Sequence, residues 1–154
     1  MRVCSALRTG SFAAFLVCAV ALFGAAVAFN AAVAMAQTRL PTDAALRSGM
    51  SDIRAAVIDH HTLITHRRLP VAMAQKFKTR VTHTITAIRT TTGVPADVRA
   101  ALDPLLETID ASAGIIGIGG DSVGQVDALF ALTKALETYG KTFEDPDWKP
   151  IQER

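Results

Sequence analysis

The sequence predicts an all-α protein, an antiparallel up-down-up-down four-helix bundle that follows an N-terminal export signal. Apolar residues recur every three or four positions in four segments of about twenty residues, which is the spacing of one helical face. Prolines and glycines stand between these segments, where helices usually begin and end. The first two links are short, and short links make consecutive helices antiparallel neighbours.

Residues 1–36 have the features of a cleaved secretory signal peptide. Two arginines precede a nearly uninterrupted apolar run at 11–29, and Ala-Met-Ala then precedes a cleavage site at Gln37. These are the parts of an export signal. The run is also marginally long enough to span a bilayer, so an uncleaved membrane anchor is the alternative. The sequence therefore predicts a periplasmic or secreted protein whose mature domain, 37–154, is the bundle with a short C-terminal tail.

The predicted mature domain contains no cysteine, because Cys4 and Cys18 both lie within the signal. It can form no disulfide, hold no thiolate-bound zinc and attach no c-type haem through C-x-x-C-H. Removal of 36 residues from 154 leaves 118, which suffices for one small domain stabilised by its own core.

Charge is balanced over this domain but unevenly distributed. Residues 37–93 carry nine basic and three acidic side chains, a net charge of +6, whereas residues 94–154 carry five basic and eleven acidic ones, a net charge of −6. Opposite charges in one small domain favour internal complementarity, with the two halves packed side by side. A basic face for an acidic partner or for lipid head groups is the alternative.

The first two predicted helices form a hairpin. The first runs from about Thr42 to His66. The second begins at Pro70 and stops at Gly93, since proline is favourable in the first turn of a helix and glycine just after its last turn. The stretch TRVTHTITAI in the second helix is β-branched and favours a strand on local propensity, but apolar i, i+4 spacing on either side favours a helix. The two apolar stripes are Leu46, Met50, Ile53, Val57, His60 and Ile64, then Met73, Phe77, Val81, Ile85 and Ile88.

The third predicted helix runs from Pro95 to about Ile116. Pro104 lies inside it, and because an internal proline removes one backbone hydrogen bond, we expect a kink or a restart capped by Asp103. The glycine-rich stretch that follows is predicted to be a loop, since it has neither the lysine of a Walker motif nor G-x-G-x-x-G spacing.

The fourth predicted helix starts at Ser122, with Gln125 three residues later in a capping-box pattern. The tail EDPDWKPIQER contains two prolines and cannot continue the helix. We expect Trp148 and Ile151 to fold back over an end of the bundle. The last two stripes are Val98, Leu102, Leu105, Leu106 and Ile109, then Leu129, Leu132, Leu136, Tyr139 and Phe143.

The stretch DHHTLITHRR, residues 59–68, contains three of the four histidines. A helical metal pair needs a spacing of three or four residues, whereas the spacings here are one, five and six. One site that uses all four histidines is therefore geometrically poor. A transition-metal site formed by His61, His66 and a carboxylate of the other hairpin stays open. The interpretation that the sequence favours is structural, since His66 and the arginines beside it interact favourably with the C-terminal end of the first helix.

No set of residues in the sequence indicates catalysis. A nucleophile elbow, G-x-S-x-G, is absent, and Glu107 and Asp110 lack the Glu-x-x-His partner of a di-iron carboxylate bundle. Basic residues of the second helix alternate with too few aromatic residues to form a base-stacking surface. We therefore predict a protein that is not an enzyme and does not bind nucleic acid.

An exported four-helix bundle of this size resembles cytochrome b562 and its relatives in architecture over the whole mature chain. Met50, in SGMSDIRAAV, stands where the methionine haem ligand of that family would lie. In ALETYGKTFED, Tyr139 matches the tyrosine before the family's axial histidine, but Gly140 follows it and cannot ligate iron. The resemblance implies the fold, an exported location and, as an alternative, a non-covalent haem b.

The sequence thus predicts an exported, non-enzymatic bundle without a resident cofactor that binds an unidentified protein partner or small ligand, and a homodimer is compatible with this. The alternative is a periplasmic carrier or sensor of haem b or a transition metal. Its candidate residues are Met50 and His60 for a cofactor, and His61 and His66 for a metal. Met50 and His60 lie roughly 15 Å apart along one helix, so they cannot bind one haem together. A membrane association is expected only if the signal stays uncleaved.

Overall fold

The computed structural model describes residues 39–120 and 122–151, so the predicted signal peptide and its cleavage site lie outside the described residues. The chain forms four helices, which are α1 (Ala44–Thr65), α2 (Val71–Thr91), α3 (Ala96–Ile116) and α4 (Gln125–Thr142). Packing links α1 to α2 and α4, and links α3 to α2 and α4. The predicted all-α, antiparallel four-helix bundle is confirmed. None of the described helices is long and apolar enough to cross a bilayer.

The predicted apolar stripes form one core. In α2, Val81, Ile85 and Ile88 are all buried, and they lie on one face because they are three or four residues apart. The burial of this face stabilises the helix over the strand that the β-branched residues favour locally. Met73 departs from the prediction, since it is 38 % exposed in the first turn of α2.

Helix α3 runs without a break through Pro104, so the predicted restart at Asp103 is wrong. Proline removes one backbone donor, while Leu102 and Leu106 on either side of it are buried in the core. These two side chains hold the turns before and after the proline in one helix. The next turn gains a local bond, because the Thr108 hydroxyl donates to the carbonyl of Pro104 at 2.9 Å.

Helix α4 begins three residues later than predicted, and the predicted capping box of Ser122 and Gln125 is wrong. Gly124 is the N-cap residue, with φ of 90°, and no side chain caps the helix. The side chain of Gln125 is fully buried, and its Nε2 lies 3.4 Å from the carbonyl oxygen of Ile116. This glutamine therefore contacts the C-terminal end of α3 and not the backbone of its own helix.

The tail folds back, as predicted, but it runs along the side of α1 and not over the end of the bundle. The indole of Trp148 lies against Gly140 and packs edge-on against Tyr139, with ring centroids 4.8 Å apart. Further along, Arg54 donates through Nη2 to the carbonyl of Pro150 at 3.4 Å. Because Arg54 is ten residues beyond the start of α1, the tail covers roughly 15 Å of that helix.

Asp43 joins the start of α1 to the turn between α2 and α3. Its Oδ1 accepts a hydrogen bond from the backbone N–H of Leu46 at 2.7 Å, which makes it the N-cap of α1. Its Oδ2 accepts from the backbone N–H of Gly93 at 2.8 Å. One carboxylate therefore satisfies donors from two elements.

We expect Asp43→Ala to reduce the free energy of unfolding by about 2 kcal/mol. Loss of an N-cap costs about 1 kcal/mol, and the N–H of Gly93 loses its acceptor as well, which adds about 1 kcal/mol. Urea denaturation measures the change. Asp97→Ala, an exposed aspartate in the first turn of α3, is the control, and an equal loss in both variants would contradict the bridging role of Asp43.

Candidate ligand-binding cleft

The four residues predicted as site candidates do not converge in the structure. Met50 is fully buried in the core, and His66 is an exposed residue that ends α1 as its C-cap. His60 and His61 are half-buried and lie on different sides of α1. Among residues 39–120 and 122–151, no group of three or more His, Cys, Asp or Glu side chains is placed to hold a metal.

His60 packs against the second helix. Its Nδ1 lies 2.8 Å from the carbonyl oxygen of Ala56, and because a carbonyl can only accept, Nδ1 carries the proton. Its ring packs edge-on against Phe77 of α2, with centroids 5.5 Å apart. Nε2 is then the nitrogen left for a ligand, as in histidines that a backbone carbonyl orients toward a metal.

Gly140 has a structural role in the tail contact. A Cβ at this position would overlap Nε1 and Cδ1 of Trp148. The site where the resemblance to cytochrome b562 would place an axial ligand is therefore filled by the indole of the tail.

A cleft of about 600 Å³ lies between α1 and the tail, and we call it the tail cleft. It is lined by the cationic side chains of Arg54 and Lys149, by the imidazole of His61 and by Thr62. The α1 residues share one face because they are spaced at helical intervals, whereas Lys149 is brought there by the tail. Within the described part of the chain, no carboxylate lines this cleft, although Arg54 and Lys149 also line an adjoining cleft with Asp145 and Asp147.

The guanidinium of Arg54 has donor capacity that the chain does not use. Its Nε is buried without a hydrogen-bond partner among the described residues, and its Nη2 makes the long contact of 3.4 Å to Pro150. A guanidinium presents a planar fork of five donors that matches a carboxylate or a phosphate. Arg54 therefore retains donor capacity that the described part of the chain does not use.

The tail wall of the cleft is fixed by contacts behind it. The buried hydroxyl of Tyr139 donates to Oδ2 of Asp145 at 3.1 Å, and the ring stacks on Phe143 with centroids 5.1 Å apart. Together with the packing of Trp148 on Gly140, these contacts hold the tail just before Lys149. The backbone of the tail is thus held beside α1 by packing within the protein, and Lys149 follows directly after this segment.

A second groove lies between α1 and α2, and it is more open than the tail cleft. Lys76, Arg80 and His83 line it, but so does Asp52. Arg80 also pairs with Asp59 at 3.7 Å. Because these carboxylates neutralise part of the positive charge, the second groove is the weaker candidate for an anion site.

Sequence reasoning missed Arg54 and Lys149. The spacing of Arg54 and His61, seven residues apart on α1, was a signal that they share a face. No periodic pattern places Lys149, because it lies in an aperiodic tail. Comparisons of this chain with protein-family models, with curated proteins and with solved structures gave no match.

Proposed function

We propose that this protein is an exported, non-enzymatic four-helix bundle that binds a small anionic ligand, a carboxylate or a phosphate, in the tail cleft. The observation that supports this proposal is that Arg54, His61 and Lys149 line one cleft, without a carboxylate among the described lining residues. The export component is supported by the arginines, the apolar run and the Ala-Met-Ala sequence of residues 1–36.

The composition of the cleft suits an oxyanion. Arginine supplies a flat pair of donors and lysine a compact charge, and hydrogen bonds between ionised groups are about twice as strong as those between neutral ones. Small-molecule sites are usually about 300–1,000 Å³ in volume and largely preformed, and the tail cleft, at about 600 Å³, lies in that range. Because Tyr139 and Trp148 already fix the tail, binding has less conformational entropy to overcome.

Arg54→Gln is expected to weaken anion binding about tenfold or more, because it removes a charge-assisted bond of roughly 1.5–3 kcal/mol. Trp148 is the only tryptophan of the chain and adjoins Lys149, so its fluorescence reports on the cleft. The probes are acetate, inorganic phosphate and octanoate, titrated into the mature protein at constant ionic strength.

Arg89→Gln is the matched control, because it removes the same charge from an exposed position on α2. We expect its affinity to equal that of the unaltered protein. Equal weakening in the two variants would show a general charge effect, and the absence of saturable binding by every probe would reject the anion site.

A haem or metal carrier is the second candidate function, and the bond between Nδ1 of His60 and a backbone carbonyl is the observation that favours it. An optical spectrum and a metal analysis of the protein purified from its periplasm test this candidate. A Soret band or a stoichiometric metal would favour the carrier, with Met50, His60, His61 and His66 as the first residues to replace.

A further inference from the structure

We infer that the ligand of the tail cleft is an anionic amphiphile, a carboxylate that carries an apolar body such as a medium-chain acyl group. This inference rests on the proposed anion site and adds the part of the ligand that the cationic side chains do not contact. It follows from the volume of the cleft, from the position of Arg54 and Lys149 at one end of it and from the apolar residues that line it.

The tail cleft is much larger than a bare anion. Its volume is about 600 Å³, and one water molecule takes up about 30 Å³ of liquid. The cleft thus has room for roughly twenty water molecules, whereas an acetate or phosphate ion would displace only a few. The cleft is open to solvent, and a ligand with an apolar body beside its anionic group would occupy more of it than a bare anion does.

Arg54 and Lys149 lie apart from His61 along the cleft. Lys149 precedes Pro150, whose carbonyl accepts from Arg54, so these two cations lie at one end of the cleft. His61 is seven residues further along the same helix, roughly 10 Å along its axis. A single carboxylate cannot span this distance, and the head group is therefore placed at Arg54 and Lys149.

Three of the residues that line the cleft are apolar, namely Ile58, Pro150 and Ile151. Ile58 lies between Arg54 and His61 on α1 and is 45 % exposed, while Pro150 and Ile151 of the tail line the same cleft. A large aliphatic side chain left half in water is stabilised when an apolar group covers it. An acyl chain that runs from Arg54 toward His61 would cover Ile58, whereas an inorganic anion would not.

Chain length is the test, with acetate, butyrate, octanoate and decanoate as probes below their micelle-forming concentrations. Full burial of a methylene corresponds to about fourfold in affinity, so even partial burial predicts at least a tenfold gain from acetate to octanoate. Trp148 fluorescence and calorimetry measure the affinities. Equal affinity for all four probes, with loss of binding in Arg54→Gln, would reject the amphiphile and leave the anion site standing.

The variant Ile58→Asn tests whether the increase in affinity with chain length arises in the tail cleft. We expect this variant to lose most of the gain from acetate to octanoate. Val123→Asn is the matched control, because Val123 is 94 % exposed and does not line the cleft. A chain-length gain that persists in Ile58→Asn would overturn the inference.

An experiment with vesicles distinguishes binding of a free amphiphile from binding to a membrane surface. The distinction is needed because anionic lipids also have an anionic group and an apolar body. Vesicles of phosphatidylcholine with phosphatidylglycerol are sedimented with the mature protein. Saturable octanoate binding without cosedimentation is the expected result. Cosedimentation without octanoate binding would overturn the inference, because the source of the anion would then be a lipid surface.

Discussion

Gly140→Ala is expected to reduce the free energy of unfolding by about 2–3 kcal/mol, although alanine is the better helix former. In an exposed helix interior this exchange stabilises by about 1 kcal/mol. At position 140 the new methyl group would overlap the indole of Trp148, and overpacking of this kind costs about 1–3 kcal/mol. The indole would also lose its edge-on contact with Tyr139, in which the ring centroids are 4.8 Å apart.

Two further variants separate the steric effect from helix propensity. Gly114→Ala is the matched control, because Gly114 lies in α3 and a Cβ there would meet nothing within 4 Å. We expect it to stabilise the protein by about 0.5–1 kcal/mol. In a Trp148→Ala background, Gly140→Ala should become stabilising as well. Urea denaturation measures all three changes, and the same sign for Gly140→Ala in both backgrounds would contradict the packing argument.

The fold was predictable from sequence because helical periodicity is a local property. Each of the four apolar stripes can be recognised within one segment of the sequence. Residues spaced three and four positions apart form one face of a helix, and this face is buried in the core. Where a local sequence rule predicted a different structure, tertiary packing determined the outcome. Pro104 did not break α3, because buried leucines hold both adjoining turns, and Gln125 contacts α3 where the capping-box pattern paired it with its own helix.

The path of the tail could not be predicted, and the candidate cleft depends on that path. Trp148 fits beside Gly140 because a side chain is missing there, and a sequence pattern does not show such a gap. The histidine cluster was a candidate site because histidine is a common metal ligand, but only His61 of that cluster lines the tail cleft. Arg54 and Lys149 line one cleft because the tail packs along α1. Their shared site therefore depends on tertiary contacts that a sequence pattern does not show.

Tyr139 is expected to stay protonated until the protein unfolds in alkali. Burial raises the pKa of its hydroxyl strongly, and the negative charge of Asp145 and the hydrogen bond to its carboxylate raise it further. In the unfolded chain a tyrosine ionises near pH 10. Above that pH the unfolded state has released a proton that the folded state retains, so the free energy of unfolding falls as pH rises, by up to about 1.4 kcal/mol per pH unit.

Because Tyr139 is the only tyrosine of the chain, tyrosinate absorbance reports on this group alone. We expect the absorbance to rise at the same alkaline pH at which the helical circular dichroism is lost. Tyr139→Phe should remove this part of the pH dependence, which in the unaltered protein begins near pH 10, because the stabilising contribution of the protonated tyrosine is complete below that pH and is lost above it. Tyrosinate that forms while the helices are intact would contradict the burial argument.

Asp145→Asn tests the contribution of charge separately from burial. The amide oxygen can still accept the hydrogen bond of Tyr139, but the negative charge is gone. We expect the pKa of the tyrosine in the folded protein to fall relative to the unaltered chain, because ionisation no longer creates a second negative charge beside the first. The total loss of stability above pH 10 should therefore be smaller in this variant, because the two states differ by one proton over a narrower range of pH. An unchanged total loss would assign the whole effect to burial.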